Sequence, residues 1–532
     1  MMLIKRRVSP EPTDEDMGSD DNSKQKHIND DAFKPTGTHN AGLKMNFISC
    51  LSLITLVIVT VNVYLSNRLQ LVIDQSMKNI STSIHDVEIQ NLNFRKPVVS
   101  MIAANDEWGL LIHVREILRR LGYEVIGDID QNWDILWTFD PPPTPSLKPH
   151  QKVNHFPGTK FVTSKYLLST SNLSFVPKSF LIPDDKKEFL DFASKHPKYS
   201  WVRKNLGHRG VRIQKVQEID LDNSSYIVQE FIQNPFLIDG RKFDVGIYVI
   251  HTSIDPLRVY TFDEEVQFRF CIEDYYPFDW ENVASYVIGD KYTPVWMVYS
   301  LKNFYLTDKV TRKESFNKYL RSIGKNPEPL WKKMEDMIAM VYQKNEEKMV
   351  NVSNSRNMLF STTRHFFELT RFDFMIDEDL NPHLLESNLS PNLATPTIPQ
   401  NQHMFEKVIY NTLSLSGVAR TDGIYDWYRY DGTKWDFRVN DRDLVVNEEL
   451  CASQQCSASC GSEKCRTCYQ CLSESMKLHL KDAFLEQKSI WSAKRLLPST
   501  SDDDLNTKTA NNLVQTDWFK AKCQSNPAWC SK

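Results

Sequence analysis

Residues Arg371 to Leu393 read RFDFMIDEDLNPHLLESNLSPNL, and the rest of the chain is best read outward from them. Phe372 to Ile376 and His383 to Leu385 are runs rich in apolar residues, and the DEDLNP between them has Asp/Asn/Pro turn chemistry, so the spacing predicts a β-hairpin. Side chains alternate along a strand, which puts Glu386 and Asn388 on one face with Asp373 opposite them across the turn. Three oxygen-bearing side chains gathered this way suit Mg²⁺, which takes hard oxygen ligands from one or two carboxylates and completes its shell with water and phosphate. The same letters also fit an acidic hairpin with solvated carboxylates, and this segment alone leaves both readings open.

A second segment narrows the choice. Tyr226 to Arg269 predicts strands at Tyr226 to Phe231, Lys242 to Thr252 and Leu257 to Phe262, separated by Asn-Pro, Asp-Gly and Asp-Pro turn signals. Upstream stand VNHFPG at Val153 to Gly158 and WVRKNLGHRGVRI at Trp201 to Ile213. The run QEFIQNPFLIDGRKFD, followed by FDFMID and LLESNLSPNL, resembles the tubulin tyrosine ligase-like enzymes, which have the ATP-grasp fold. The resemblance covers about Val153 to Leu393 and extends more loosely back to Pro97.

That resemblance implies a set of roles, each with a physical reason. Lys204 would neutralise nucleotide phosphate as a compact point charge. The GHRG loop, with Gly207, Arg209 and Gly210, would let backbone N–H groups approach the phosphates. Gln229, Glu230, Phe231 and Ile232 resemble the linker that frames the adenine of ATP. Lys242 and Asp244 resemble the pair that contacts phosphate and ribose, although by themselves they also fit a surface salt bridge worth about 1 kcal/mol or less. Asp373, Glu386 and Asn388 match the ligands of Mg²⁺, with Mn²⁺ an alternative ion, and Arg269 and Glu386 are the expected catalytic residues. The implied reaction phosphorylates an acceptor carboxylate with ATP and then lets the amine of a free amino acid attack the acyl-phosphate, so positioning and charge stabilisation do the work. A nucleophilic side chain is not needed.

Two departures from the family pattern stand out. The family usually continues KFD with an apolar residue and an arginine, whereas this chain reads KFDVG and has Gly246 at that place. The usual HLTN-like stretch is replaced by PVWMVYSLKNF, Pro294 to Phe304. Both belong to the amino-acid and acyl-phosphate side of the site. Losing a bidentate clamp there costs several kcal/mol of transition-state binding unless another cation replaces it. Arg241 is close in sequence, but strand alternation does not place it on Gly246's face. An altered ligase, a slow one and a non-catalytic ATP-binding protein all remain open.

Composition supplies the context. With 532 residues, 41% hydrophobic and 11% aromatic, the chain buries a substantial core and exceeds one ordinary domain. Its net charge of −4 gives no hint of a nucleic-acid partner. Residues 1–45 read as a polar, disordered tail with an acidic cluster. Phe47 to Leu65 are uncharged and apolar for about the length of a membrane-spanning helix, giving a single transmembrane segment over 46–66 and a stem over 67–95. A buried core helix is the competing reading, disfavoured because no face carries a charge. Residues 96–430 form the expected α/β (α+β) ATP-grasp domain, beginning with a β-α-β unit at Pro97 to Asp140 and including an amphipathic helix over Asp184 to Lys195.

Residues 431–532 differ in kind, because eight of the ten cysteines fall between Cys451 and Cys530. An even, dense set predicts four disulfides in an oxidising compartment, with zinc ligation as the alternative. The flanking charges weakly favour an N-terminus in the cytoplasm, which would place the ligase domain on the luminal side. Sequons at Asn79, Asn172, Asn223 and Asn351 are compatible with that placement. The family's usual acceptor, tubulin, is cytosolic, so two acceptor readings follow: a tubulin tail extended with glutamate, or an acidic luminal protein.

Overall fold

The computed structural model describes residues 60–61, 64–72, 96–103, 108–127, 132–142, 147–148, 150–205, 210–222, 226–355, 362–419, 439–499 and 509–530. The chain divides into two units, Met1–Phe94 and Arg95–Lys532. In the first, residues 60–61 and 64–72 are helical. The expected tail over 1–45 and most of the expected membrane span over 46–66 lie outside the described residues. Among the described residues no helix is long and apolar enough to cross a membrane.

In the second unit the described strands form three sheets. Strands β1 (Val98–Ile102), β2 (Glu124–Ile126), β3 (Ile135–Thr138) and β4 (Lys152–Val153) make a parallel sheet in the order β2-β1-β3-β4. The expected helix here is Ile112–Arg120, preceded by a 3₁₀ turn at Trp108–Leu111. Strand β2 is an addition to the expected β-α-β unit; at three residues with no buried position, it leaves almost no pattern to read. Strands β5 (Ser179–Ile182), β6 (Ser200–Asn205), β7 (Arg212–Gln214) and β8 (Tyr226–Phe231) form an antiparallel sheet in the order β5-β8-β6-β7. The helix beside it starts at Lys186, and Asp185 at its N-cap accepts from the Leu181 amide at 2.7 Å instead of capping its own first turn.

The third sheet carries the fold. Its path is β13 (Pro382–Leu389), β12 (Glu368–Ile376), β9 (Phe243–Ile254), β10 (Leu257–Phe262) and β14 (Ala493–Leu497), with β11 (Gln267–Phe270) also paired to β9. Alternation assigns its two faces. Val245, Ile247 and Val249 of β9 and Phe372, Phe374 and Ile376 of β12 pack with Met334, Ile338 and Val341 of the helix Glu328–Ser355. Tyr248, Ile250 and Leu369 face the other way, onto Met404, Phe405 and Val408 of the helix Gln402–Leu415. Two residues beyond Leu369 that second face stops being apolar and presents Arg371 and Asp373, which is where the site opens.

VNHFPG has a structural task. Phe367 donates its amide to the Val153 carbonyl at 3.1 Å, the Thr159 hydroxyl donates to Glu368 at 2.5 Å, and His155 Nδ1 lies 3.0 Å from the same carboxylate. These buried bonds fasten the parallel sheet to the start of β12.

The cysteine-rich region is built into the same body. Its cysteines pair as Cys451–Cys468, Cys456–Cys465, Cys460–Cys471 and Cys523–Cys530, which leaves no thiolates for zinc ligation. Beyond the first three pairs, β14 pairs antiparallel with β10, Val259 opposite Leu497. The helix Glu474–Lys488 contributes Glu486, whose carboxylate accepts from Arg258 at 2.9 Å, Tyr260 at 2.8 Å and Thr252 at 2.8 Å, all buried. Replacing Glu486 by alanine leaves the Arg258 guanidinium buried without its carboxylate, which is expected to cost about 3–5 kcal/mol. Urea denaturation of the variant checks this, and a single shifted transition shows that residues 474–530 unfold together with the central sheet.

Candidate active site

Four strands lay the site out as a lattice on one face of the central sheet. Across the sheet, Gln267 of β11 stands opposite Gly246 of β9, Gly246 opposite Asp373 of β12, and Asp373 opposite Glu386 of β13. One step along, Arg269 stands opposite Asp244, and on the other side Arg371 lies between Tyr248 and Asn388. The hairpin expected from the sequence therefore forms with the expected faces, and both of its strands are longer than their apolar runs. A register shift between Asp373 and Phe374 keeps Glu386 and Leu384 on opposite faces while both meet partners on β12.

Charge pairs knit the lattice together. Arg269 forks onto Asp244, Nε to Oδ1 at 2.9 Å and Nη2 to Oδ2 at 2.7 Å, and the same Nη2 reaches Asp373 Oδ2 at 2.8 Å. Arg371 forks onto Asp373, Nε to Oδ1 at 2.6 Å and Nη2 to Oδ2 at 2.9 Å. The Asn388 amide also donates to Asp373 Oδ2, at 2.9 Å. Bidentate guanidinium–carboxylate pairs are strong and fix orientation as well as charge. Their effect on the two acids differs. Burial pushes the Asp244 carboxyl up and Arg269 only partly offsets this, whereas burial of Asp373 is more than reversed by Arg371 and Arg269, which hold it below the usual carboxylate range.

The facing sheet brings the cationic side. Lys204 on β6 donates to the Gln229 side chain on β8 at 2.6 Å, and Gln229 donates to the Ser179 hydroxyl at 2.9 Å. Burial brings the Lys204 ammonium down to about 8; Glu386 opposes that shift, and Lys165 and Lys242 reinforce it. Lys165 itself lies 3.8 Å from Glu386. Glu230 keeps its amide in the β5 connection, donating to the Lys178 carbonyl at 2.8 Å. Phe231 ends β8 beside Phe278 and Tyr286, at ring separations of 5.9 Å and 6.1 Å. Ile232 follows, beyond the ladder, where its backbone is free of strand pairing. Lys242 is buried and donates to the Tyr286 carbonyl at 3.0 Å, so it makes no surface salt bridge with Asp244. Gly210 has φ +98° and a Cβ there would meet Asn205 Nδ2 at 2.5 Å, so glycine is required; Gly207 and Arg209 lie outside the described residues.

The donor set can be tested against a divalent ion. Glu386 keeps a side chain 31% exposed, and Asn388 uses its N–H groups on Asp373 and the Arg371 carbonyl, leaving its own carbonyl oxygen for a ligand. Asp373 is 2% exposed and already accepts four donors, about the capacity of a carboxylate. Glu386 and Asn388 thus keep oxygen atoms that a divalent ion could take, while the Asp373 oxygens are engaged by the two arginines and Asn388.

Arg371 is the residue that the sequence reading passed over. It is the first letter of the hairpin segment, and its place two residues before Asp373 was the available signal, since alternation puts both on one face. Arg241 points elsewhere, to Thr293 and Asp274, as alternation predicts.

Comparison with known proteins agrees with this architecture. The sequence model of the Tubulin-tyrosine ligase family matches residues 145–422. "Probable tubulin polyglutamylase ttll-15" of Caenorhabditis elegans is 35% identical over 437 residues, covering 79% of this chain and 84% of that protein. The mouse tubulin monoglutamylase TTLL4 is 30% identical over 295 residues, and the mouse tubulin polyglutamylase TTLL6 26% over 330. This chain spans only 24% and 39% of their respective lengths. Family match, coverage and the observed sheet lead to one conclusion: the chain belongs to the tubulin-tyrosine ligase family of ATP-dependent ligases.

Proposed function

We propose that this protein is an ATP- and Mg²⁺-dependent ligase that adds glutamate to glutamate side chains of a tubulin tail through an acyl-phosphate. The supporting observation is the single polar lattice that joins Asp244, Arg269, Arg371, Asp373, Glu386 and Asn388 opposite Lys204. In this reading the acceptor carboxylate attacks the γ-phosphorus with ADP leaving, and the glutamate amine then attacks the acyl carbon with phosphate leaving. Arg269, 16% exposed at its side chain, and Lys204 offset charge on the transferring group. Mg²⁺, when bound at Glu386 and Asn388, supplies further neutralisation of phosphate oxygens.

A second acceptor is favoured by a separate observation. Four disulfides and the exposed sequon residues Asn172 and Asn351 support a ligase domain in an oxidising, glycosylating compartment. There the apolar segment over 46–66 would be the anchor and the acceptor an acidic protein other than cytosolic tubulin.

Three measurements follow. Incubated with ATP, Mg²⁺, labelled glutamate and tubulin, the purified protein is expected to label tubulin, and Glu386→Gln to lower the rate about 100-fold or more. Lys204, brought down from 10.5 to about 8, loses its charge as pH rises through that value. Affinity for an ATP analogue should therefore weaken from pH about 7 to about 9, with proton uptake on binding near 8, because a bound anion restores the charge. Calorimetry in buffers of different ionisation heat reads both, and Lys204→Met should flatten the profile. The sign for folding is opposite: between about 8 and 10.5 the unfolded chain binds more protons, so stability of the free protein rises with pH there. In cells, protease protection with glycosidase-sensitive mobility that Asn172→Gln and Asn351→Gln each reduce by one step would assign the luminal acceptor, while an accessible, unmodified domain would leave tubulin.

A further inference from the structure

Gly246 and Arg371 occupy one place between them. A Cβ at 246 would stand 2.9 Å from Arg371 Cδ, 3.2 Å from its Nε and 3.2 Å from Asp373 Oδ1. A Cβ contact below about 3 Å to a buried, doubly bonded arginine stem has no easy relief, so residue 246 is glycine to admit the Arg371 side chain. The need is for space, since the Gly246 backbone is ordinary extended strand.

We propose that Arg371 delivers from β12 the guanidinium that the family resemblance places at 246 on β9, and that it acts as a positioning residue for the ligase site. The charge balance explains why such a group is needed. Asp244 and Asp373 bring two negative charges to a buried face, and without Arg371 the one guanidinium bonded to either of them among the described residues would be that of Arg269, shared between both acids. ATP, free glutamate and an acidic tail are all anions, and an Asp373 carboxylate stripped of its fork would oppose each of them. With Arg371 forked on Asp373, two cations meet two anions, and Arg269 is shared between both acids. Arg371 also reaches Gln267 Oε1 at 3.3 Å, and Gln267 accepts from the Tyr248 hydroxyl at 3.1 Å. The guanidinium is thereby tied to β9, β11 and β12 at once. Gly246 in this chain then marks a relocated clamp, and the site is complete without an arginine on β9.

The inference rests on the ligase reading, and an exchange experiment separates the two. Four full-length proteins are compared: wild type, G246R, R371G and G246R/R371G. Each is measured for thermal midpoint, for affinity toward a non-hydrolysable ATP analogue with Mg²⁺, and for glutamate incorporation. Each single variant is expected to bind the analogue about 10-fold or more weakly and to lose about 100-fold in incorporation. G246R fails because two guanidinium stems compete for one space, and R371G because Asp373 loses its fork. The exchange variant is expected to recover to within about 10-fold of wild type, far better than the product of the two single losses. Losses that simply multiply would overturn the proposal, as would an R371G protein equal to wild type. R371M fills the same space without charge; wild-type analogue affinity in that variant would reduce Arg371 to packing and also overturn the proposal. If the wild type incorporates no glutamate, the ligase reading fails while analogue affinity and thermal midpoint still decide the exchange.

Discussion

The Asp373 carboxylate, gripped by two guanidiniums from different strands, is the constraint around which the site is organised. Burying it alone would be costly, and a buried acid without a partner becomes neutral. Arg371 reaches it from two residues away on its own strand and Arg269 from two strands across. With Asp244 of β9, which Arg269 also grips, those three residues tie β11, β9 and β12 together at the point where the apolar face gives way to the cleft. The neighbouring layers can be read as support for that point. Tyr248, Ile250 and Leu369 continue the same face as apolar packing beside the charges, and His155 and Thr159 hold Glu368 at the start of β12.

The cleft is electrically divided. On the central sheet the acids and arginines neutralise one another, while on the facing sheet Lys204 is half-buried, hydrogen-bonded to a neutral glutamine and ready to be titrated. An anion entering between the two sheets therefore meets a balanced wall and an ammonium with its charge to spare. Glu386 lies between them, opposite Asp373 in register and electrostatically coupled to Lys204, which suits it to a ligand shared by both walls.

Much of this was legible in the residues. The strands at Tyr226 to Phe231 and Leu257 to Phe262 were bounded correctly because turn residues stop them on both sides. The faces of Asp373, Glu386 and Asn388 followed from alternation. What escaped was two-dimensional. That Gly246 stands beside Asp373, with Arg371 folded over it, depends on the register between β9 and β12, and the chain between those strands is more than a hundred residues long. The spacing of Leu330, Met334, Ile338 and Val341 was in plain view as a helical stripe, yet which sheet face it would cover was not. Likewise the Arg258–Glu486 pair spans 228 residues, so neither partner carries a local sign of the other.

The position of β14 gives the ligase sheet an unusual order of assembly. Its partner β10 is synthesised early, by Phe262, whereas β14 begins only at Ala493 and the Asn512 side chain that accepts from the Leu257 amide comes later still. Until residues 486–512 have left the ribosome, β10 is an open edge with an arginine lacking its counter-ion, and such edges invite pairing with other chains. The intervening segment is the one that the first three disulfides cross-link. Closure of the sheet therefore waits on translation past Asn512 and runs alongside thiol oxidation, so a chain cut before Glu486 retains the residues of the site but lacks the strand and counter-charge that close the sheet beneath them.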